Sequence, residues 1–404
     1  MTDAAGRGRA LVVGLGIAGI ATALRLRQVG WEPVLVERAP ARRSSGYFIM
    51  LFGAGIASAR RLGVLEAIGD RGHPRLVTHE VNRVGRRTPG MNPATLPGKP
   101  RLVLRGDIER ALFSALPADV EIRYSTVPTR ITQDDSAAHV TLHDTASGVT
   151  VTERFDLVVG ADGMRSTVRE LAFDQGEYLY PLNYMIGATV LDGPIEGFRQ
   201  DEGLVLAEPG RSAWIFPFRD HAPGLLFSYR TGDIDAEFAR PAIESIRAAF
   251  GPEPAGPLLE NLFTAFERAP ESLFDSVHQV KMPHWHRGRV VLLGDAAWCV
   301  TLYAGMGASS AIAGGELLGT MLRRHPGDLP GALRAWEARM RPFINTEQNS
   351  ALVMRRIFTP HDRKEQIMRA GMLRLMRAPV VGQALGRMLQ GPDMKNKEFD
   401  VAAV

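Results

Sequence analysis

The stretch from Ala10 to Glu37 restricts this chain more than any other part of it. Residues 10–14 read Ala-Leu-Val-Val-Gly, apolar and β-branched over the length of a buried parallel strand. Gly14, Gly16 and Gly19 follow at the spacing G-x-G-x-x-G. Residues 17–29 then read as a helix that stops at Gly30, and residues 33–37 as a second strand ending in Glu37. In such a βαβ unit Gly14 permits the tight turn, Gly16 lets a pyrophosphate approach the backbone, and Gly19 lets helix and strand pack closely. The phosphates would lie over the helix start, at Ile17 and Ala18, where free N–H groups and the dipole favour negative charge. Glu37 would accept hydrogen bonds from ribose hydroxyls, with Arg38 beside it. The glycine spacing alone is weak; the complete frame of strand, turn, helix, strand and acid predicts a dinucleotide site. It does not separate FAD from a nicotinamide dinucleotide.

Composition excludes more than it selects. The 404 residues suffice for two domains or one elaborated domain, and 45% apolar with 23% charged residues is ordinary for a globular chain. The net charge of +4 is spread along the chain, with no recognition-helix or zinc-finger pattern, so no nucleic-acid partner is expected. Cys299 is the single cysteine, which rules out an intramolecular disulfide or a multi-cysteine metal site. No metal is expected, and a cytoplasmic location fits. Arg7, Arg9 and the apolar run from Ala10 to Leu24 imitate a secretion signal, but the glycine spacing explains that run better. No stretch is long and apolar enough to span a membrane.

Two further strand-to-turn junctions narrow the choice. Asp156-Leu-Val-Val-Gly-Ala-Asp-Gly-Met-Arg-Ser-Thr-Val-Arg169 runs an apolar strand into Gly160, then Asp162-Gly163, then a helix. Gly288-Arg-Val-Val-Leu-Leu-Gly-Asp-Ala-Ala297 runs another into Asp295, and Gly305-Met-Gly-Ala-Ser309 opens a helix over 308–322. With three motifs in this order and at these distances, the chain resembles the class A flavoprotein monooxygenases of the p-hydroxybenzoate hydroxylase fold over nearly its whole length. Within that family it is most similar to tetracycline-inactivating monooxygenases and antibiotic-biosynthesis hydroxylases.

The resemblance implies an α/β architecture: a Rossmann-like FAD-binding domain interleaved with a mostly antiparallel substrate sheet, plus C-terminal helices. The FAD-binding parts would be 1–75, 101–180 and 276–330, the substrate parts 76–100 and 181–275, and the helical region 331–404. It implies FAD as cofactor, NADH or NADPH as transient reductant, and O2 as co-substrate. Reduced flavin would form a hydroperoxide that passes one oxygen atom to a bulky apolar or aromatic natural product. Gly14, Gly16, Gly19 and Glu37 would hold the ADP half. Arg105 would reach the ribityl or pyrophosphate part, or else be a surface arginine at a helix start. Arg43 would meet flavin or nicotinamide cofactor. Asp162 would lie near both, or cap a helix. Asp295 would bind the ribityl hydroxyls, and the backbone of Gly305, Met306, Gly307 and Ala308 would approach the flavin ring. No catalytic acid or base can be named. A monomer or a homodimer is expected.

The chain also departs from the family pattern. Trp298 stands where the family has histidine and Leu302 where it has proline, so a looser loop in front of the flavin is expected. Those departures keep alive an oxidase, dehydrogenase or reductase without oxygen insertion. A halogenase is disfavoured because Trp214-Ile-Phe-Pro217 has one tryptophan where that family has two, and a non-enzymatic flavin-binding protein is a further rival. Strands are expected over 182–190, 203–208, 213–218 and 224–230. Period two puts Trp214, Phe216 and Phe218 on one face, as pocket wall or as ordinary core. Phe48, Met50 and Phe52 alternate likewise and would lie near substrate; Phe227 and Tyr229 are weaker candidates. Residues 331–389 read as helices with a solvated basic face, and 1–8 and 390–404 as mobile ends.

Overall fold

The computed structural model describes residues 8–42, 46–90, 99–174, 176–193, 195, 198–375 and 396–404. Its organising element is a six-stranded sheet in the order His286–Arg287, Val290–Leu292, Leu157–Gly160, Arg9–Val13, Glu32–Val36, Glu121–Arg123. All neighbours pair in parallel except the two-residue edge strand His286–Arg287. The central strands are buried on both faces, which explains why Leu11, Val12, Leu35, Val158 and Val291 sit in continuous apolar runs rather than in alternation. The three motifs stand at the ends of three adjacent strands, because Arg9–Val13 pairs with both Glu32–Val36 and Leu157–Gly160, and the latter pairs with Val290–Leu292.

A three-stranded antiparallel meander, Thr126–Gln133, Ala138–Asp144 and Thr150–Phe155, connects Glu121–Arg123 to Leu157–Gly160. The second large sheet has seven strands, in the order Ser272–Val280, Leu179–Val190, Gly224–Arg230, Arg211–Phe216, Glu202–Glu208, Val77–Val81, Arg87–Pro89. Its pairs are antiparallel apart from Glu202–Glu208 with Val77–Val81. One face packs on the helices Ala242–Phe250 and Gly256–Arg268. Phe227 belongs to that face, where its ring meets Phe250, Phe263 and Phe266, and the Tyr229 hydroxyl donates to Glu237 at 2.9 Å. Both residues therefore turn away from the other face, which looks toward the parallel sheet. Phe48–Leu51 and Arg101–Leu104, far apart in sequence, pair antiparallel as a separate two-stranded sheet.

The C-terminal part holds a 30-residue helix, Leu329–Phe358, and a second, Arg363–Leu375. The expectation of a solvated basic face fails in part. Arg369 is 7% exposed and clasps Glu80 of the seven-stranded sheet at 2.6 and 2.8 Å, and Arg355 pairs with Glu365 at 2.9 Å. The expectation of a mobile end fails for 396–404. Val401 and Ala402 are buried there, and Arg61 holds Asp400 through two hydrogen bonds of 2.6 and 2.9 Å. Arg43 lies outside the described residues, as does the part of the basic helical region over 376–395. Among the described residues no helix is long and apolar enough to cross a membrane.

Candidate active site

Glycines bring the three motifs into contact. A Cβ on Gly14 would lie 2.5 Å from the Ala161 carbonyl oxygen, and one on Gly19 only 1.9 Å from the Gly14 carbonyl oxygen. Gly294, at φ +65°, lets the third motif approach the Ala18 methyl, since its own Cβ would stand 2.9 Å from it. Gly16 differs: the one atom its Cβ would meet is an Arg105 guanidinium nitrogen, 4.0 Å away. Gly16 thus faces open space bounded by a cation, and a side chain there would fill a cradle rather than strike the fold.

Two helices aim uncapped N-termini at open space. Ile17–Gln28 begins after Gly16 and Gly307–Arg324 after Met306, each without a side-chain cap and without an acidic residue in its first turn. Side-chain caps do occur in this chain, at Ser166, Asp233 and Asp328. Uncapped termini leave N–H groups unpaired and an electropositive dipole end, which suits an anion or an electron-rich ring. Arginines at the far ends, Arg25 and Arg27 in one helix and Arg323 and Arg324 in the other, complement both dipoles.

The first open space, about 270 Å³, is walled by Gly14, Gly16, Glu37, Arg38, Arg105 and Asp162, together with Thr126 and Pro128 of the meander. Glu37 already accepts N–H bonds from Leu15 and Ala39, both at 2.9 Å. Those bonds fix the carboxylate while each oxygen keeps a lone pair for a ribose hydroxyl. Arg105 opens the helix Arg105–Ala115 and pairs with buried Glu109 at 2.6 Å. Burial pushes the Glu109 carboxyl above its usual range, and Arg105 and Arg42 oppose that shift. Arg42, which sequence reasoning passed over for Arg43, lines this space with its Nη1 buried and without a partner. An unpaired guanidinium nitrogen beside a glycine cradle is a donor awaiting an acceptor.

The second space, about 430 Å³, lies between the sheets and shares Arg38, Asp162, Gly163 and Arg165 with the first. Asp295, Gly305, Gly307 and Ala308 form one side of it. Phe48, Met50, Phe216, Ile186, Ala188 and Leu226 supply its apolar lining. Asp295 and Tyr47 are solvent-exposed residues that line this cleft, and the protein packed around them pushes both groups above their usual pKa ranges. Asp162 is likewise raised by burial, against hydrogen bonds from the Ser166 hydroxyl at 2.6 Å and Val168 N–H at 3.1 Å. It is not the N-cap residue: Ser166 is, and Asp162 braces it. Arg165, at the junction of the two spaces, is tied to Asp275 at 2.9 Å.

Aromatic stacking shapes the apolar side. Phe48 and Phe216 lie face to face at 4.0 Å and 6°, and Trp214 continues the stack 6.0 Å beyond. The Trp214 indole N–H donates to Ser212 Oγ and the Phe358 carbonyl at 3.1 and 3.2 Å. Trp214 and Phe52 line a small apolar lobe of about 50 Å³ that meets the cleft at Phe48, Met50, Phe216 and Gly305. Phe218 lies outside both walls. Its strand ends at Phe216, and its ring is fully buried 5.9 Å from Phe48. Met306 and Ile17 are buried too, so only their backbones could meet a ligand.

The departures have local explanations. Trp298 points into the core, where it meets Trp285 at 4.7 Å and Trp336 at 5.8 Å, and its N–H reaches Ser310 Oγ. The loop after it is stapled, not loose. Thr301, at φ +72°, accepts the Tyr303 N–H at 3.3 Å, Gly305 N–H donates to Leu302 O at 2.9 Å, and Tyr303 Oη bonds Ser228 Oγ at 2.8 Å. Burial raises the Cys299 thiol well above its usual range, which keeps it protonated and unreactive. His286 sits apart beside Glu337, lowered by burial.

Residues 7–326 match the family described as FAD binding domain. This chain belongs to that family. A flavin-dependent monooxygenase of Legionella longbeachae is 26% identical over 357 residues, covering 84% of this chain and 86% of that one. The fold is that of a tetracycline destructase, Tet(55), with a TM-score of 0.78 at 22% identity over 99% and 98% of the two chains. Klebsiella pneumoniae HpxO complexed with FAD and uric acid gives 0.73 at 20% identity over 95% and 97%. The protein is an FAD-dependent monooxygenase of class A, with the parallel FAD-binding sheet, mostly antiparallel second sheet and C-terminal helices of that class; NAD(P)H as reductant is implied by it. The site fits FAD on its own evidence: a cradle that a Cβ would fill, an orphan guanidinium nitrogen beside it, and two uncapped helix starts along one tract.

Proposed function

We propose that the chain oxygenates a bulky, largely apolar or aromatic organic molecule, with FAD extended from the glycine cradle into the cleft. The observation that carries this reading is the continuity of the two spaces. One tract runs from a polar, arginine-bearing cradle to a chamber lined by stacked aromatic rings.

Gly16, Ile17 and Ala18 hold the pyrophosphate by backbone N–H groups, with Arg105 and Arg42 as counter-charges, while Gly14, whose N–H donates to the Val36 carbonyl at 2.8 Å, and Gly19 allow the close turn that brings them there. Such charge-assisted bonds contribute about 1.5–3 kcal/mol each. Glu37, with Arg38 beside it, orients the adenosine ribose, and Asp295 accepts from the ribityl hydroxyls. Asp162 braces the helix start at the point where the two spaces join. Gly305, whose N–H is held by Leu302, leads the backbone to the ring edge, and the N–H groups and helix dipole of Met306–Ala308 face it, worth about 0.3–2 kcal/mol for a developing negative charge. Bound FAD supplies hydride acceptance from NADH or NADPH and the activation of O2.

Phe48, Met50 and Phe216 then present a dry, flat surface to the substrate, and Trp214 and Phe52 extend it into the small lobe. An apolar pocket with few polar anchors selects by shape. In this reading 1–75, 101–180 and 276–330 serve the cofactor, while 76–100 and 181–275 cover the substrate.

The test is a screen of aromatic polyketides and other polycyclic compounds for stimulation of NAD(P)H consumption, with mass analysis of products formed under 18O-labelled O2. One labelled oxygen atom per turnover is the expected result. Stimulated turnover without label in any product would replace this reading with that of an oxidase or dehydrogenase.

A further inference from the structure

Behind the flavin-facing loop lies a charge that none of the three motifs contains. Residues 396–404 fold back over the body and insert Lys397, 4% exposed, beneath that loop. Its Nζ donates to the Ala304 carbonyl at 2.6 Å and sits 4.5 Å over the Phe52 ring. Ala304 immediately precedes Gly305, which is left-handed at φ +67° and faces the cleft; a Cβ on Gly305 would stand 3.9 Å from Lys397 Nζ.

The tail is held there from both sides. Asn396 donates to the Phe343 carbonyl and Glu347 at 3.2 and 2.7 Å, and Arg339 donates to the carbonyls of Val401 and Ala403 at 2.9 and 3.1 Å. Gly53 leaves no room for a Cβ because the Lys397 and Glu398 carbonyl oxygens would be 2.7 and 2.8 Å from it. A buried ammonium loses its hydration, so the fold must return hydrogen bonds and opposite charge. Burial lowers the Lys397 pKa, and the buried carboxylate of Glu347 opposes that shift. Residues 299–308 carry no charged side chain of their own.

We propose that Lys397 is a positioning residue for the flavin. It fixes the Ala304 carbonyl, and with it the Gly305–Ala308 backbone, and places a positive charge behind that backbone which favours reduced over oxidised FAD. The proposal rests on the reading of the cleft as the FAD site.

Lys397→Met keeps the length and packing of the stem while removing the donor and the charge. Full-length K397M, matched to wild type by circular dichroism, is titrated with FAD and its two-electron midpoint potential measured by dye equilibration. The expected result is FAD held at least tenfold more weakly and reduced FAD disfavoured about tenfold relative to oxidised, a fall of about 30 mV. Lys397→Arg keeps the charge, so its potential is expected to return toward wild type, which a purely structural role would not produce. A folded K397M with wild-type FAD affinity and potential overturns the proposal. Should K397M not fold, Asp400→Asn carries the test, since it loosens the tail at Arg61 and leaves Lys397 intact: a twofold to fivefold weaker hold on FAD sustains the proposal, and no change overturns it. Failure of wild type itself to bind FAD would instead remove the reading of the cleft.

Discussion

The glycine cradle and the aromatic side of the cleft are built on opposite terms. In the cradle the ligand-facing surface is backbone, and its shape depends on side chains being absent at Gly14, Gly16 and Gly19. Between strand and helix there is no slack, because a single methyl at Gly19 would sit 1.9 Å from a carbonyl oxygen. On the aromatic side the surface is side chain. Phe48, Phe216 and Trp214 stack in parallel, and an exchange there alters volume without breaking a ladder of backbone hydrogen bonds. A dinucleotide is the same molecule in every enzyme that uses it, so its cradle tolerates little variation. A substrate differs from enzyme to enzyme, and its wall is made of exchangeable parts.

The comparison breaks first at Gly19. Gly19→Ala is expected to cost about 3 kcal/mol, the upper end for overpacking, and to leave little soluble protein. Wild-type yield and melting temperature in this variant would show that strand and helix can part without loss. Gly16→Val separates fold from function. Nothing but a guanidinium nitrogen at 4.0 Å stands before that position, so the FAD-free variant is expected to melt like wild type. Its FAD affinity, by contrast, is expected to fall ~100-fold, about 2.7 kcal/mol. Arg105→Ala comes next, with FAD held ~10- to 100-fold more weakly for a lost charge-assisted bond. Because Arg105 also neutralises buried Glu109, the Arg105→Ala, Glu109→Gln double variant is the cleaner probe: it should regain stability without regaining affinity.

This contrast also explains what could be read from the chain. The cradle was legible because its chemistry is local: Gly14 to Glu37 is one continuous segment, and each glycine has a reason that survives without knowledge of the rest of the fold. The helix starts and strand ends of the second and third motifs were legible on the same ground. The wall was less so. Period two correctly placed Trp214 and Phe216 together, but Phe218 falls past the end of its strand, where the alternation no longer applies. Phe227 has the same composition signal as Phe216 and lies on the opposite face of the sheet. Trp298 reads as a departure from a motif, and its role as a core filler depends on Trp285 and Trp336, distant in sequence. The tail was illegible for a related reason. Lys397 looks like any terminal lysine until the fold brings Ala304 to it.

On the aromatic side the expected effects are smaller. Phe48→Leu removes a face-to-face stack worth about 0.5–1.5 kcal/mol and leaves the cradle untouched. FAD content should stay at the wild-type level, while the concentration of an aromatic substrate needed for half-maximal NAD(P)H consumption should rise about threefold to tenfold. A loss of FAD with unchanged substrate response would reverse the assignment of the two regions.

The mildest effect concerns Asp295, which lines the same cleft as the aromatic residues but in this reading serves the cofactor. Enclosure by the cleft raises its pKa, with Arg105 opposing. A carboxyl raised on folding contributes stability at pH below its unfolded pKa and loses that contribution as pH climbs through the folded value. Wherever that group is ionised, the FAD-free protein therefore carries a charge that the fold disfavours. Asp295→Asn removes the charge, so the FAD-free variant is expected to melt slightly higher than wild type at pH 7. That gap should close as pH falls toward the ordinary carboxylate range, where wild-type Asp295 is protonated as well. The difference between the two proteins is the informative quantity, because Glu109 and Asp162 shift upward and Asp107 and Glu208 downward in both. With FAD present the order should invert, since the carboxylate then has ribityl hydroxyls to accept from and the amide is the poorer acceptor. Melting curves with and without FAD at three pH values decide it: a variant that is less stable than wild type without FAD would place Asp295 among the residues that hold the fold, and take it out of the group that holds the cofactor.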